Sequence, residues 1–225
     1  PEDPKRKGRF TTGLLARNGV HEIALYLSGG LHAGENLAAL AALRPARLPP
    51  PIVMADPEAK NWASEFDRIV AKCLTHGRRQ FVDISRNFPT DCQRVIHDLG
   101  KVYGVEAETK SMDPAARLTH HQTHSQPVME KLKSWIEAKL ASGTVEPNGG
   151  LGQACAYFLR HYEGMTLFLR EPQAPLDNNA CEQILRRVVL HRKNSLFFKT
   201  AGGAKTGDVL CSLIETCARN KVNVY

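Results

Sequence analysis

The amino-acid sequence predicts a mixed α/β fold that is interrupted by a large helical insertion, and three observations support this class. Two strand-like stretches, residues 8–16 and 20–28, flank Asn18-Gly19, the dipeptide most typical of a tight β-hairpin. The apolar stretch Ile52–Ala55 has the length of a short buried strand. From residue 61 to 169 apolar residues recur three or four positions apart, which indicates helices packed against one another.

The first part of the chain is expected to form a single mixed sheet. A helix is predicted from Ala33 to Leu43, because Leu37 and Leu40 share one face and Arg44-Pro45 ends the pattern. The hairpin, this helix and the strand at residues 52–55 would then belong together. Residues 1–84 are therefore interpreted as the first part of the core.

Five helical segments are predicted in the long periodic region, with proline or glycine near their boundaries. Pro127 lies inside the longest segment and is expected to split or kink it. We interpret residues 85–172 as an insertion. The predicted segments are residues 62–70, 76–84, 90–102, 115–141 and 151–169.

Residues 173–225 are predicted to complete the core with two C-terminal helices. The first runs to about His191 and the second from about Thr206 to Arg219. Between them, residues 195–200 are expected to be extended and Ala201-Gly-Gly203 to be a flexible turn.

The amino-acid composition excludes several classes of protein. Hydrophobic residues make up 42% and charged residues 24% of the 225 residues, which is typical of a globular chain. The longest apolar runs are four or five residues, whereas a membrane span needs about 20, so no membrane partner is expected. The charged N-terminus shows no signal peptide. Six scattered cysteines without a Cys-x-x-Cys pair favour free thiols in a reducing cytoplasm.

Charge is the first positive indication of function. Thirty Lys and Arg against 23 Asp and Glu give a net charge of +7, and Gln183–Lys205 holds six basic residues and no acid. Such a stretch favours a surface that contacts phosphates, and a basic helix beside acidic neighbours is the alternative. The residues expected to contact DNA here are Arg186, Arg187, Arg192, Lys193 and Lys199.

A second basic group lies at the start of a predicted helix. His76, Arg78 and Arg79 are candidates for further phosphate contacts, and an ordinary exposed basic helix is the alternative. Cys73 and His76 also have a metal-like spacing and, joined to the histidines at 120, 121 and 124, would offer zinc ligands. Because the histidine group lacks cysteine, structural zinc is the less favoured interpretation.

Two acidic residues are candidates for catalysis. Asp56 directly follows the predicted strand at residues 52–55, and ligands collect at the carboxyl ends of strands; a turn-forming Asp before Pro57 is the alternative. Glu182 precedes the basic stretch, where it matches a capping box. Nearby arginines keep a carboxylate ionised, as a Mg²⁺ ligand must be. Asp56 and Glu182 are thus expected to hold Mg²⁺ while Arg186 and Arg187 bind the phosphate.

Several blocks of the sequence resemble the transposases of the insertion sequence 66 family, and together they cover nearly the whole chain. The Asp-Asn-Asn-x-x-Glu and His-Arg-Lys-Asn blocks are the most specific. The blocks are Arg9–Gly13, His32–Leu37, Pro49–Ile52, Cys73–Phe81, Val145–Gly152, Ala174–Glu182, His191–Phe197 and Asp208–Thr216.

The resemblance implies an RNase-H-like sheet that carries the three carboxylates of a DDE-type transposase. These bind two divalent ions, Mg²⁺ or Mn²⁺, for DNA end cleavage and strand transfer. Asp56 would be the second carboxylate and Glu182 the third, with Cys73 and His76 in an element between them. The implied partners are transposon-end and target DNA, with a homo-oligomer or partner transposition proteins, and the protein would associate with the nucleoid when bound to DNA.

The resemblance also shows a departure from the family pattern. The first carboxylate of the triad belongs on a strand before the hairpin, and here the preceding residues hold Asp3 without an apolar strand. We therefore expect the first strand, its Asp and the family's DNA-recognition segments to lie upstream, and residues 1–225 to be inactive. The alternatives are a non-catalytic DNA-binding remnant that modulates an intact transposase, and a basic interaction protein without a nucleic-acid role.

Overall fold

The computed structural model of the chain describes residues 9–55, 62, 66–194 and 198–224. These residues form an α/β protein that divides into two compact units. The hairpin unit contains the residues up to Pro50 and those from Asn179 onward, and the helical unit contains residues 51–55 and 68–178.

The predicted hairpin is confirmed in the hairpin unit. Strands β1 (Phe10–Asn18) and β2 (His21–Gly29) pair antiparallel, with Asn18 opposite His21. Gly19 is the first of the two loop residues and has φ +59°, the backbone angle that a type II′ turn requires at that position. The strands begin and end one or two residues later than predicted.

Helix α1 (Ala33–Ala41) follows the hairpin and ends two residues earlier than predicted. Its first turn is capped, since the Glu35 carboxylate accepts a hydrogen bond from the His32 backbone N–H at 2.7 Å. The buried Asn36 donates from Nδ2 to Thr12 Oγ1 at 2.8 Å. This bond attaches α1 to strand β1.

Two C-terminal helices complete the hairpin unit. Helix α7 (Asn179–Asn194) packs against the hairpin through the buried Ile184 and Val188. Helix α8 (Ala201–Arg219) begins earlier than predicted, because the residues expected to form a flexible turn, Ala201-Gly-Gly203, are its first turn. Thr200 caps this turn by accepting a hydrogen bond from Gly203 N–H at 3.0 Å.

Helix α8 is joined to strand β2 by a regular set of hydrogen bonds, which we call the α8 ladder. The N–H groups of every second residue of β2 donate to oxygen atoms of side chains one helical turn apart. The donors, acceptors and distances are Ser28 to Asp208 (2.6 Å), Tyr26 to Ser212 (2.9 Å), Ala24 to Thr216 (3.0 Å) and Glu22 to Asn220 (3.2 Å). The ladder satisfies an edge of β2 that would otherwise need another strand.

The helical unit begins with two short parallel strands. Strand β3 (Ile52–Ala55) has the predicted bounds and pairs with β4 (Ile69–Lys72). The helix predicted at residues 62–70 is wrong at its C-terminal end, which belongs to β4. Over so short a run periodicity does not separate a helix from a strand, and pairing with β3 favours the strand for Ile69 and Val70.

Five helices form the rest of the helical unit and bury a common apolar core. The predicted interruption near Pro127 is confirmed, because a helix ends at His124 and the next begins at Gln126. The helices are α2 (Leu74–Asp83), α3 (Pro89–Glu108), α4 (Pro114–His124), α5 (Gln126–Ala141) and α6 (Gly150–Met165).

The arrangement of strands differs from the single mixed sheet that we expected. Within the described residues there are two separate two-stranded sheets, β1–β2 and β3–β4. The two units also divide the chain differently from the predicted segments 1–84, 85–172 and 173–225, because β3, β4 and α2 bury apolar side chains in the core of the helical unit. No helix in the described part of the chain is long and apolar enough to cross a membrane.

A polar cluster ties α3 to α4 inside the helical unit. The fully buried His121 places Nε2 2.7 Å from Glu106 Oε2, and Arg117 donates to the same oxygen at 3.0 Å. Arg117 also donates to the carbonyl oxygens of Pro172 and Ala174. Burial alone would raise the pKa of Glu106, but His121 and Arg117 outweigh it and lower that pKa below its usual value.

This cluster predicts a loss of stability in acid. A carboxyl with a lowered pKa in the folded state stabilises the protein above its unfolded-state pKa, and that contribution disappears as the pH falls through the lower, folded-state value. In Glu106→Gln, urea unfolding below pH 4.5 should therefore depend less on pH than in the parent chain. The exposed Glu137→Gln is the matched control, and equal pH dependence in Glu106→Gln and the parent would contradict the prediction.

Candidate nucleic-acid interface and acidic site

Helix α7 carries the candidate acid and most of the candidate DNA contacts. Glu182 lies in its first turn, half-buried, where the helix dipole favours a carboxylate. Ile184 and Val188 are one turn apart and face the hairpin, which fixes how the helix is rotated. The rotation leaves Arg186 exposed, one turn after Glu182.

The predicted basic surface is present along the part of α7 that the structure describes. Arg186, Arg187 and Lys193 are exposed, as is Lys199 beyond the helix. The side chain of Arg192 lies outside the described residues, as do residues 195–197. Contact between this surface and DNA stays a prediction.

One residue of the basic surface has a structural partner that the sequence analysis missed. Arg187 donates from Nη1 to both carboxylate oxygens of Glu215 on α8, at 3.0 and 2.9 Å. The Glu215 side chain is 8% exposed and that of Arg187 is 64% exposed. Arg187 therefore fits the alternative interpretation of the basic stretch, which is a basic helix beside acidic neighbours. Its ion pair joins α7 to α8.

The second candidate acid is Asp56, which directly follows strand β3 in the sequence. Asp56 lies outside the described residues, although the strand that precedes it ends at Ala55, as predicted. Asp3 is also outside them. The pairing of Asp56 with Glu182 therefore stays a prediction.

The structure gives Cys73 a role that differs from metal binding. Cys73 follows β4 and is buried, and this burial raises the pKa of its thiol. Its Sγ accepts a hydrogen bond from the backbone N–H of Asn178 at 3.4 Å. Leu74 N–H donates to the carbonyl oxygen of Leu176 at 3.0 Å, so the start of α2 holds the segment that leads into α7.

Hydrogen bonds between side chains also connect the start of α2 to the segment that leads into α7. Thr75 Oγ1 lies 2.7 Å from the Tyr103 hydroxyl and donates to Asp177 Oδ2 at 3.4 Å. The motif around Cys73 and the first two residues of the Asp-Asn-Asn motif, Asp177 and Asn178, are thus neighbours in the helical unit. The two motifs are about a hundred residues apart in the sequence. What indicated that they are related is that both are among the blocks that resemble the same family.

The structure gives the zinc alternative no support among the described residues. No group of three or more His, Cys, Asp and Glu side chains there is arranged to hold a metal ion. His121 is occupied by Glu106 and Ser125, and His120 Nε2 lies 3.0 Å from Glu108.

The remaining candidate DNA contacts lie on α2. His76 and Arg78 are half-buried and Arg79 is exposed. Gly77 between them packs on α6 so closely that an added Cβ would lie 2.6 Å from Met165 Sδ. Phosphate contacts by these side chains stay a prediction.

The described residues thus define an α/β protein with an acidic residue at the start of an exposed basic helix. The family model described as "Transposase IS66 family" matches residues 60–206, which is more than half of the chain. The chain belongs to the IS66 family of transposases, and the sequence resemblance is confirmed.

Curated relatives come from Sinorhizobium fredii (strain NBRC 101917 / NGR234). The uncharacterized protein y4jD is 31% identical over 158 residues, which cover 69% of this chain and 30% of the relative. The uncharacterized protein y4qI is 28% identical over 171 residues, covering 76% of this chain and 31% of the relative. The match thus spans about three tenths of each relative's length. No solved structure matches the chain significantly.

Proposed function

We propose that this chain contributes the catalytic domain of a DDE-type transposase, which cleaves transposon ends and joins them to target DNA. Membership of the IS66 family makes DNA the expected partner. The observation that carries the proposal is helix α7, which places Glu182 in its first turn and Arg186 and Lys193 along its exposed side. An acid beside a cationic surface suits phosphodiester chemistry, because the cations bind the phosphate.

An RNase-H-like sheet is the finer fold that we propose. It is supported by the antiparallel hairpin, the parallel pair β3–β4 and the position of Asp56 directly after β3. The α8 ladder occupies one edge of β2, and among the described residues β1 pairs with β2 alone. The other edge of β1 is contacted by α7, where Cys181 donates from Sγ to the carbonyl oxygen of Gly13 at 3.5 Å.

Mg²⁺ or Mn²⁺ would be held by the carboxylates of Asp56 and Glu182 together with a further acid. Carboxylate oxygens are the donors that such hard ions prefer, so the residue types fit. When bound, two such ions activate a water and stabilise the attacking and leaving oxygens. The cations of α7 would bind the DNA backbone and orient it against Glu182.

The second candidate is a DNA-binding form without catalytic activity that binds or modulates an intact transposase. It rests on the exposed basic residues of α7, which suit DNA binding without requiring a complete triad. A homo-oligomer or an assembly with partner transposition proteins is compatible with either candidate.

The two candidates differ in metal-dependent cleavage. Residues 1–225 should bind duplex DNA in a salt-dependent way but should not cut it with Mg²⁺ or Mn²⁺, since two carboxylates hold a metal pair loosely. A form extended to the length of the relatives should cleave transposon ends, and Asp56→Ala or Glu182→Ala should abolish the cleavage. The readout is nicking of labelled transposon-end DNA.

Three results would count against parts of this proposal. Binding of DNA that does not depend on salt would contradict the basic surface. Absence of cleavage in the extended form would favour the non-catalytic candidate. Cleavage by residues 1–225, lost in Glu182→Ala, would show that another acid completes the triad, with Asp3 as the first suspect.

A further inference from the structure

Strand β4 presents basic residues on one face. Arg68 directly precedes the strand and Lys72 ends it, and even spacing places both side chains on the same face. Ala71 points the other way and is fully buried in the core of the helical unit. Lys72 is half-buried, which is unusual for a lysine.

Helix α6 lies directly against Lys72. A Cβ added at Gly164 would lie 2.5 Å from Lys72 Cγ and 3.1 Å from its Cβ, so the helix backbone packs on the lysine stem. His161 is one turn before Gly164 and on the same face of the helix, with the exposed Arg160 next to it. The ring of His161 packs on Tyr157, with the centroids 4.6 Å apart.

The electrostatics show that these groups act on one another. Burial lowers the pKa of Lys72, and the charge of Arg68 lowers it further. Burial also lowers the pKa of His161, and Lys72 and Arg160 add to that effect. Arg68 thus acts on Lys72, and Lys72 and Arg160 act on His161, so an anion between Lys72 and His161 would be stabilised by positive charge on both sides.

We propose that Arg68, Lys72, Arg160 and His161 form a binding site for a phosphate group, supplied by a DNA backbone or as free phosphate. Strand β4 and the residue before it supply Lys72 and Arg68, and helix α6, which packs on the Lys72 stem, supplies His161 and the exposed Arg160. Lys72 pairs with Ala55, the residue before Asp56. The DNA source rests on the proposed function, and it would bring a backbone phosphate to the strand end that precedes the candidate acid.

The test uses the 225-residue chain with ¹³C-labelled histidine, whose His161 ring signal is assigned by its loss in His161→Asn. Inorganic phosphate is titrated first and a short DNA duplex second, at constant pH and ionic strength. Both are expected to move the His161 signal. Lys72→Gln and, separately, the exposed Arg160→Gln should weaken phosphate binding by about tenfold, as loss of one charge-assisted hydrogen bond does. Lys110→Gln, at an exposed lysine of the same unit, should change nothing.

The outcomes separate the phosphate site from the proposed function. A His161 signal that moves with neither titrant, or binding unchanged in both variants, would overturn the site. Movement with inorganic phosphate alone would support the site and exclude DNA as its source. If the chain binds DNA through α7 while the His161 signal moves with neither titrant, this inference fails and the proposed function stands. Arg160→Gln keeps the test valid if Lys72→Gln does not fold, because Arg160 is exposed.

Discussion

Replacing Arg186 and Lys193 together with alanine is expected to weaken the binding of any duplex DNA and to reduce its dependence on salt. Each phosphate contact that is lost removes about 0.9 from the slope of log affinity against log salt concentration, so the double variant should lose about 1.8. Both side chains are exposed on α7. Fluorescence anisotropy with a labelled duplex at several salt concentrations measures the affinity and the slope.

Two further variants test whether this effect is specific to the exposed basic residues of α7. The double variant Lys110→Ala with Lys131→Ala removes the same charge from exposed positions of the helical unit and should keep most of the slope. Arg187→Ala should chiefly lower the free energy of unfolding, because it breaks the ion pair with the buried Glu215. If the α7 variant and the lysine control lose the same slope, the DNA surface lies elsewhere or is not localised.

Asp208→Ala is expected to lower the free energy of unfolding of the hairpin unit by about 1.5–3 kcal/mol, the range for hydrogen bonds to charged groups. Asp208 is buried and accepts hydrogen bonds from both the N–H and the hydroxyl of Ser28, at 2.6 and 2.8 Å. Without it, the Ser28 N–H loses its acceptor. Urea unfolding gives the free energy, and amide hydrogen exchange at Ser28 reports the local change.

The matched control is Val209→Ala, at the next position of the same helix. Its side chain is 53% exposed, so the expected change is within about 0.5 kcal/mol. Equal stability of Asp208→Ala and the parent, with unchanged exchange at Ser28, would show that α8 is held to β2 by packing rather than by the ladder.

Local patterns in the sequence were sufficient for much of the fold. Asn18-Gly19 located the hairpin, Ile52–Ala55 was a strand with the predicted bounds, and Pro127 marked a real break between helices. Strand β4 was missed because its four residues are too few to show a period and depend on β3 for pairing. Ala201-Gly-Gly203 was predicted to be a flexible turn, but Thr200 caps the helix that these residues begin.

Only those parts of the candidate site whose residues are close together in the sequence could be predicted. Glu182 and Arg186 were recognised because four residues separate them on one helix. The bond from Arg187 to Glu215 joins residues 28 positions apart, and that from Asn178 to Cys73 joins residues 105 apart. Such pairs are set by tertiary packing, for which one sequence carries no periodic signal.

The α8 ladder joins a row of acceptors and a row of donors that differ in length, and the lengths of the acceptor side chains compensate for the difference. From Asp208 to Asn220, the residue just after α8, the acceptors are twelve residue steps apart, about 18 Å, while the donors Ser28 and Glu22 are six steps apart on β2, about 20 Å. If the middle of the acceptor row lies opposite the middle of the donor row, the last acceptor and donor at each end are offset by about 1 Å, close to one covalent bond length. Short hydroxyl side chains, Ser212 and Thr216, are the acceptors in the middle, and the longer Asp208 and Asn220 are the acceptors at the ends. Because one inserted residue would rotate the following part of α8 by about 100°, any insertion between the acceptors would break several rungs at once.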